Sequence, residues 1–298
     1  MKSDPTRRTV LAVSGAAALT SLAGCTAGDD DDGNGTDDGN GTDDGNGTDD
    51  GNGTDDGNDT DENGAEDESA FIDYDEDASV SFIEPTDGDT VSGGVYLSMV
   101  AENLEIEAVE EGVNDGAGHF HVLVDHEPVA EGDPIPSEDG YNHFGDGSIE
   151  TVLDLEPGEH DLVLQVGDGQ HRALPMTDEV TVDVETATLE FVGIEDGETV
   201  SSPVSFDLEV DGADFEIERA NQTHQNAGHH HVLVDHEPVD VGDLIPNEDG
   251  YNHFGGGSSS VELDLEPGDY DLVAQVGTGT HIATPLIAEV SITVEDQE

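Results

Sequence analysis

The sequence predicts an all-β chain in which two tandem antiparallel β-sandwiches follow a disordered acidic tether. Three observations support this fold class. Two stretches of about 110 residues repeat each other, the apolar residues within each stretch recur at every second position, and the segment before them is nearly free of apolar residues. An apolar period of two is typical of strands with one buried face, whereas a period near 3.6 would indicate helices.

The chain begins with a segment that is typical of an export signal. Arg7 and Arg8 precede an apolar run that is too short to cross a bilayer. The paired arginines favour the twin-arginine export route. Because the run ends in Leu-Ala-Gly-Cys, residues 1–24 are predicted to be a signal peptide, and Cys25 is predicted to be the lipidated first residue of the mature chain. An ordinary secretory signal is the alternative.

Cys25 is the only cysteine in the chain. A single cysteine excludes a disulfide framework, and it excludes zinc and blue-copper sites that use a cysteine of the folded part. The expected location is the outer face of the cytoplasmic membrane, with the lipid on Cys25 as the membrane partner.

Residues 25–70 are predicted to form a disordered tether. The hexapeptide DDGNGT occurs four times in register there, followed by the variant DDGNDT. Such a segment cannot bury enough apolar surface to offset the entropy of ordering it. The repeats create Asn-x-Thr sequons, which arise by chance in such repeats and are also candidate glycosylation sites in an exported protein. With one further sequon in the second copy, the candidates are Asn34, Asn40, Asn46, Asn52, Asn58 and Asn221.

The excess of acidic residues limits both the salt concentration in which the protein can fold and the classes of partner it can bind. The formal net charge is −69, from 74 acidic and only five basic residues. Self-repulsion of this size destabilises a compact chain unless salt screens it, and at about 1 M salt the Debye length falls to about 3 Å. The composition therefore predicts an extreme halophile. It excludes nucleic acid and anionic lipid headgroups as partners.

The repeated stretches define two predicted domains, residues 71–186 and 187–298. Sequences such as LDLEPGEHDLVLQV alternate apolar and polar residues around a Pro-Gly turn, which predicts about seven short strands per copy. In the second copy Tyr270 lies in LEPGDYDL, which resembles the tyrosine corner of immunoglobulin-like sandwiches. His160 takes the place of this tyrosine in the first copy, which indicates a structural hydrogen-bonding position.

All 13 histidines lie in the two copies, and five histidine positions recur 110 residues apart. In an extended strand His119 and His121 point to one face, with Cα atoms about 6.5–7 Å apart, while Phe120 and Val122 point to the core. Two such imidazoles can converge on one ion. Two later histidines, one in a glycine-flanked turn and one in a loop, could complete a site in each copy. The candidate ligands are His119, His121, His143 and His171, and His229, His231, His253 and His281.

Imidazole ligands without a thiolate suit zinc, copper(II) or nickel, so up to one zinc or copper(II) ion is expected per domain. The alternative is that the histidines are turn residues that bind the backbone, in a surface interaction module for a protein or glycan. His126 and His236 follow the end of the strand and are predicted to be turn residues rather than ligands. Common catalytic motifs are missing from the sequence, which predicts a protein that is not an enzyme.

The repeated blocks GH[FH]HVLVD, HFGxG and GxGxH resemble domain-of-unknown-function family 4399, which occurs in exported bacterial and archaeal proteins. The resemblance covers both copies almost end to end. It implies that the histidine blocks define the domain, and it implies no activity. The leader, the tether and the acidic composition resemble those of surface lipoproteins of halophilic archaea.

Overall fold

The computed structural model describes residues 72–212, 215–221 and 223–296. Within these ranges the chain is all-β, as predicted, with a single three-residue 3-10 helix at Val109–Glu111. No helix in the described part is long and apolar enough to cross a membrane. Several predicted features lie outside the described residues: the tether, Arg7, Arg8, Cys25, Asn34, Asn40, Asn46, Asn52 and Asn58.

Each copy contributes nine strands. The strands of the first sandwich are β1 (Ser79–Glu84), β2 (Asp89–Ser92), β3 (Val95–Glu102), β4 (Glu105–Ile106), β5 (Ala117–Val124), β6 (Tyr141–His143), β7 (Glu150–Leu153), β8 (Gly158–Gly167) and β9 (Ala173–Glu185). Those of the second are β10 (Ala187–Val192), β11 (Glu198–Ser201), β12 (Val204–Gly212), β13 (Glu216–Ile217), β14 (Ala227–Val234), β15 (Tyr251–Phe254), β16 (Ser260–Leu263), β17 (Gly268–Gly277) and β18 (Ala283–Glu295).

In both copies a three-stranded sheet packs on a six-stranded sheet. The small sheet of the first copy has the order β1-β3-β7, and the large sheet has the order β2-β9-β8-β5-β4. Strand β5 pairs with β8 along one edge, and its other edge pairs first with β4 and then with β6. The second copy repeats this arrangement strand for strand. Strand β5 is therefore paired on both edges, and so is its counterpart β14.

The strands differ from the prediction in number and in the direction of two pairings. Strands β2 and β9 run parallel, as do β4 and β5, whereas the other pairings in the first copy are antiparallel. The two additional strands are β4 and β6, which are only two and three residues long. Strands this short carry too few residues to show an alternating pattern, so the sequence did not reveal them.

The core of each sandwich lies between its two sheets. In the first copy it contains Phe120, Val122 and Leu164, all fully buried, and it corresponds to a similar cluster around Val232 and Leu272 in the second. The alternation predicted these inward positions. Ile149 is an exception, since half of its surface is exposed because it precedes the first paired residue of β7.

The predicted structural hydrogen bond at the corner before β8 and β17 is confirmed. The Tyr270 hydroxyl donates to the carbonyl of Glu266 at 2.9 Å. In the first copy His160 Nε2 lies 2.8 Å from the carbonyl of Glu156, and its Nδ1 lies 2.8 Å from Asp125. Each side chain therefore bonds to the backbone carbonyl four residues before it, the tyrosine through a hydroxyl and the histidine through a ring nitrogen. This shared contact explains why either residue is accepted there.

Candidate metal centre

Strand β5 places two histidines on the face opposite the core. His119 and His121 alternate with Phe120 and Val122, and yet only 1% and 2% of the two histidines is exposed. The rings of His143 and His171 pack against them on this face. Strand β14 presents His229 and His231 in the same way.

Strand β6 contributes the third histidine. His143 was predicted to lie in a turn, but it ends a short strand and pairs directly with His121 across the antiparallel ladder. Residues that face each other across such a ladder have their Cβ atoms about 4.5–5.5 Å apart, so their rings meet. In the second copy His253 pairs with His231 in the same register.

The loop after β8 contributes the fourth histidine. The N–H of His171 donates to the carbonyl of Asp168, and the carbonyl of His171 accepts from the N–H of Ile135, both at 2.8 Å. His171 has φ 61°, and its counterpart His281 has φ 71°. A left-handed backbone is uncommon for a residue other than glycine. Its recurrence in both copies shows that the closed loop, rather than chance, directs these rings inward.

Four imidazoles converge in the first sandwich. His119 Nε2 lies 3.0 Å from His121 Nε2, and His143 Nε2 lies 3.1 Å from His171 Nε2. The ring centroids of the six pairs are separated by 4.8 to 5.9 Å. Two nitrogens bound at 2.0–2.1 Å to one tetrahedral ion would lie about 3.3–3.4 Å apart. The Nε2–Nε2 distances of 3.0 and 3.1 Å in the first cluster are close to that value.

The second cluster is tighter. One ring nitrogen of each of its four histidines lies within 4.8 Å of the others, whereas in the first cluster this holds for His119, His121 and His143. His253 Nε2 and His281 Nε2 are 3.2 Å apart, and the six ring centroids are separated by 4.6 to 5.6 Å. The second site is therefore the better organised of the two.

Several buried ring nitrogens in the clusters have no hydrogen-bond partner among the described residues. They are Nδ1 of His121, Nδ1 of His231, and both nitrogens of His229. A buried polar atom without a partner costs about 1–3 kcal/mol. Hydrogen bonds between histidines would satisfy at most the paired nitrogens. Both nitrogens of His229 would still have no hydrogen-bond partner among the described residues. A cation bound within the cluster would give one nitrogen of each ring a partner, and His229 would gain one in this way.

The environment keeps these rings neutral. Burial, and after it the neighbouring imidazoles, lowers the pKa of His121 to about 3, while the pKa of His119 falls to about 4. In the second cluster the same causes lower the pKa of His231 to about 2 and that of His229 to about 3. Burial also lowers the pKa of the more accessible members, His143 and His253. Neutral imidazole is the form that binds metal ions.

Glycines next to the rings explain two of the repeated motifs. A Cβ on Gly145 would collide with the ring of His143, and a Cβ on Gly167 would lie 2.9 Å from His121 Nε2. Gly255 and Gly277 make the same close approaches in the second copy. The HFG and GxGxH blocks are thus needed for ring packing. Sequence reasoning missed this role, although each glycine lies two to four residues from a predicted ligand.

The remaining histidines lie outside the clusters. His126 stacks on Tyr141 with ring centroids 4.4 Å apart, and its Nε2 lies 3.3 Å from the carbonyl of Asp139. His236 makes the same contacts with Tyr251 and Asp249. Both hold turns, as the sequence predicted.

The sequon asparagine of the second copy lies at the edge of the second cluster. Asn221 is exposed, and its N–H donates to the carbonyl of Gly279 in the loop that carries His281. Its side chain is therefore accessible, which a glycosylation site requires. Glycosylation of Asn221 stays a prediction.

The fold and the clusters define this chain as a tandem β-sandwich protein with a histidine group in each copy that could hold a metal ion, of three histidines in the first copy and four in the second. The chain belongs to the family described as Domain of unknown function (DUF4399), which matches it twice, over residues 97–185 and 206–295. Each match contains one complete histidine group. No curated protein matches the sequence.

Solved structures with some likeness are multidomain β-proteins. Fibronectin(III)-like modules of Clostridium thermocellum CbhA share 14% identity at a TM-score of 0.26, over 73% of this chain and 94% of theirs. Domains 7, 8 and 9 of the S-layer protein SbsC share 16% at 0.27, over 74% and 61%. The I9-I11 tandem from titin shares 13% at 0.23, over 73% and 66%. At such low TM-scores, function has to be inferred from the chain's own residues.

Proposed function

We propose that each sandwich binds one divalent transition ion through its four clustered histidines. The convergence of the clustered imidazoles carries the proposal, together with buried ring nitrogens of His229 and His231 that have no partner in the described part of the chain. The neutral state of these rings supports it, because protonated imidazoles cannot bind an ion. The duplication gives two sites per chain.

Zinc is the ion that this donor set fits best. Imidazole without thiolate suits zinc and copper(II), and zinc accepts a tetrahedral arrangement without a preference from its d electrons. Copper(II) prefers a tetragonal arrangement, in which adjacent nitrogens at 2.0 Å would lie about 2.8 Å apart. The Nε2 separations of 3.0–3.2 Å lie between the tetragonal and tetrahedral values, so copper(II) is the alternative ion.

Four protein ligands support a binding role rather than a catalytic one. A tetrahedral ion held by four histidines has no open position for water, whereas catalytic zinc sites keep one. His143 and His253 are the exposed members of the two clusters, and they provide an entry path for the ion. We infer a non-catalytic metal-binding protein, held at the outer face of the membrane by the lipid on Cys25.

Metal stoichiometry tests the proposal. The protein is purified in molar salt, stripped with a chelator, and titrated with zinc and with copper(II). We expect two ions per chain, one after His121→Gln, and two after the matched control His126→Gln. Binding should weaken as pH falls toward the lowered pKa values of the buried ligands, about 4 for His119 and about 3 for His121, because protons then compete for the imidazoles.

The same titration contains the result that would overturn the proposal. A protein that binds no ion, and whose melting temperature does not move at saturating zinc, copper(II) or nickel, would favour a surface interaction module with structural histidines. A ligand at 100 times its dissociation constant adds about 2.7 kcal/mol of stability, so a shift in melting temperature is large enough to measure.

A further inference from the structure

The two sandwiches contact each other through a small apolar cluster. Tyr96 and Val152 of the first sandwich pack with Ile282 and Val241 of the second, and the first three are about 95% buried or more. Val152 lies on the face of β7 that the alternation otherwise gives to polar residues. Its burial is therefore due to the neighbouring sandwich.

Two amide side chains of the second sandwich extend this contact. Gln225 accepts a hydrogen bond from the N–H of Tyr96 at 3.2 Å and donates one to the Tyr96 carbonyl. Asn226 accepts from the N–H of Ser92 at 2.6 Å and donates to the carbonyl of Thr90 at 2.8 Å. Both amides thus bind the backbone of the first sandwich as an additional strand would.

The loop that carries His281 forms part of the same contact. The Thr280 hydroxyl donates to the Glu150 carboxylate of the first sandwich at 3.2 Å. On the other side of His281, Ile282 is 5% exposed within the apolar cluster. His281 therefore lies between two residues that the first sandwich holds.

Among the described residues, the equivalent loop of the first sandwich makes neither of these two contacts with the second. Arg172 takes the place of Ile282, and it pairs with buried Asp168 at 2.7 Å within its own loop. The surface of the second sandwich that matches the contact is polar, with exposed Ser205 and Glu262 where the first has Tyr96 and Val152. The junction therefore forms once. It holds the residues on both sides of His281, whereas it meets the first cluster only at a cavity that His143 lines together with Gly242 and Asp243.

We propose that docking of the two sandwiches and ion binding at the second site are coupled, with the first sandwich holding His281 in its ligating position. This inference rests on the proposed metal-binding function. Coupling of this kind is reciprocal, so the ion at the second site stabilises the docked arrangement by the same factor. At the first site the second sandwich borders the cavity beside His143 and, among the described residues, does not hold those next to His171, so ion binding there should depend less on docking.

Single-site chains test the coupling. His121→Gln leaves only the second site, and His231→Gln leaves only the first. Each full-length chain is combined with Val152→Glu, which introduces the residue that the second sandwich carries at Glu262. Zinc affinity is measured by competition with a colorimetric chelator in molar salt. We expect Val152→Glu to weaken binding at the second site by about 5-fold or more, a typical coupling factor, and to change the first site by less than twofold.

Small-angle scattering gives an independent readout of docking. Val152→Glu should separate the sandwiches, and zinc should partly restore compactness only in the chain that keeps the second site. If Val152→Glu leaves the sandwiches docked, Tyr96→Ser and Gln225→Ala are added to remove the remaining contacts. Unchanged zinc affinity in undocked chains, or equal weakening at both sites, would overturn the coupling. Absence of zinc binding in both single-site chains before Val152→Glu would refute the metal-binding function instead.

Discussion

At the scale of single residues, the two copies differ at a core position where one holds a phenylalanine and the other a histidine. Phe120 and His230 are both fully buried on the core face of their strands. Neither ring nitrogen of His230 has a partner in the described part of the chain. Because its neighbour across the sheet is Val276, the imidazole lies in apolar surroundings. We therefore expect His230 to destabilise the second sandwich relative to a phenylalanine at this position.

His230→Phe should stabilise the second sandwich. Removal of a buried, unpartnered polar group should raise the free energy of unfolding by about 1–3 kcal/mol at neutral pH. Denaturant unfolding of the chelated protein in molar salt measures the change. The reciprocal variant Phe120→His should destabilise the first sandwich by a similar amount. A His230→Phe protein no more stable than wild type would contradict the prediction.

The gain from His230→Phe should grow in acid. Burial lowers the pKa of His230 to about 4, whereas an unfolded histidine titrates near 6.5. Between these values the unfolded chain binds more protons, so wild type loses up to about 1.4 kcal/mol per pH unit through this residue as pH falls. The difference in stability between variant and wild type should be constant above pH 6.5 and should widen below it. A difference that is independent of pH from 7 to 5 would rule out this origin.

At the scale of elements, a buried glutamine on β8 connects the strand to the segment that supports the metal loop. Gln165 accepts from the N–H of Val129 at 2.9 Å, and it donates to the carbonyls of Val129 and Leu174 at 2.8 and 3.1 Å. The same segment continues to Ile135, whose N–H binds the carbonyl of His171. The Gln165 side chain thus connects β8 to the segment from Val129 to Ile135, and this segment in turn binds the backbone of the candidate ligand His171.

Gln165→Leu should destabilise the first sandwich and weaken its metal site. It removes the partner of the half-buried Val129 N–H and carbonyl and of the buried Leu174 carbonyl, and a buried group left without a partner costs about 1–3 kcal/mol. Zinc affinity of the first site should fall, while that of the second should not change. The exposed Gln170 offers a control, since Gln170→Leu should alter stability by less than about 0.5 kcal/mol. Equal effects of the two substitutions would show that the Gln165 bonds are not important.

At the scale of the whole molecule, differences between the copies map to the junction. Gly93 and Gly94 lie so close to Leu286 and Pro285 that a Cβ on either glycine would clash. The second copy has Ser202 and Pro203 at these positions, where no further sandwich approaches in the described chain. The two copies therefore differ at the residues of the junction: the first has glycines where the second sandwich packs against it, and the second has larger residues at the equivalent positions.

Export and anchoring also concern the whole molecule and stay predictions. Replacement of the lipidated residue by Cys25→Ser should release the protein from the membrane fraction into the medium, because the tether and both sandwiches carry a repelling negative charge and no other membrane partner is expected. Fractionation of cells that produce the two forms measures this. The anchor is refuted if the serine form stays in the membrane fraction as wild type does.

The sequence by itself determined the fold class, the duplication and the ligand candidates. Period-two alternation follows from the pleat of a strand, so the core face of β5 could be read from Phe120 and Val122 alone. The histidine blocks recur because each copy keeps the same fold. Position in the sequence also separated His126 and His236 from the clusters, since both lie beyond the end of the strand.

Only the tertiary structure decided which histidines meet and which surfaces are covered. His143 and His171 are 28 residues apart, and their rings touch because β6 pairs with β5 in one register and the loop after β8 closes beneath it. Strands of two or three residues leave no periodic signal, and register depends on contacts that are distant along the chain. The junction at Val152 and Ile282 was hidden for the same reason: burial by a neighbouring sandwich depends on how two folded surfaces fit, which no local pattern encodes.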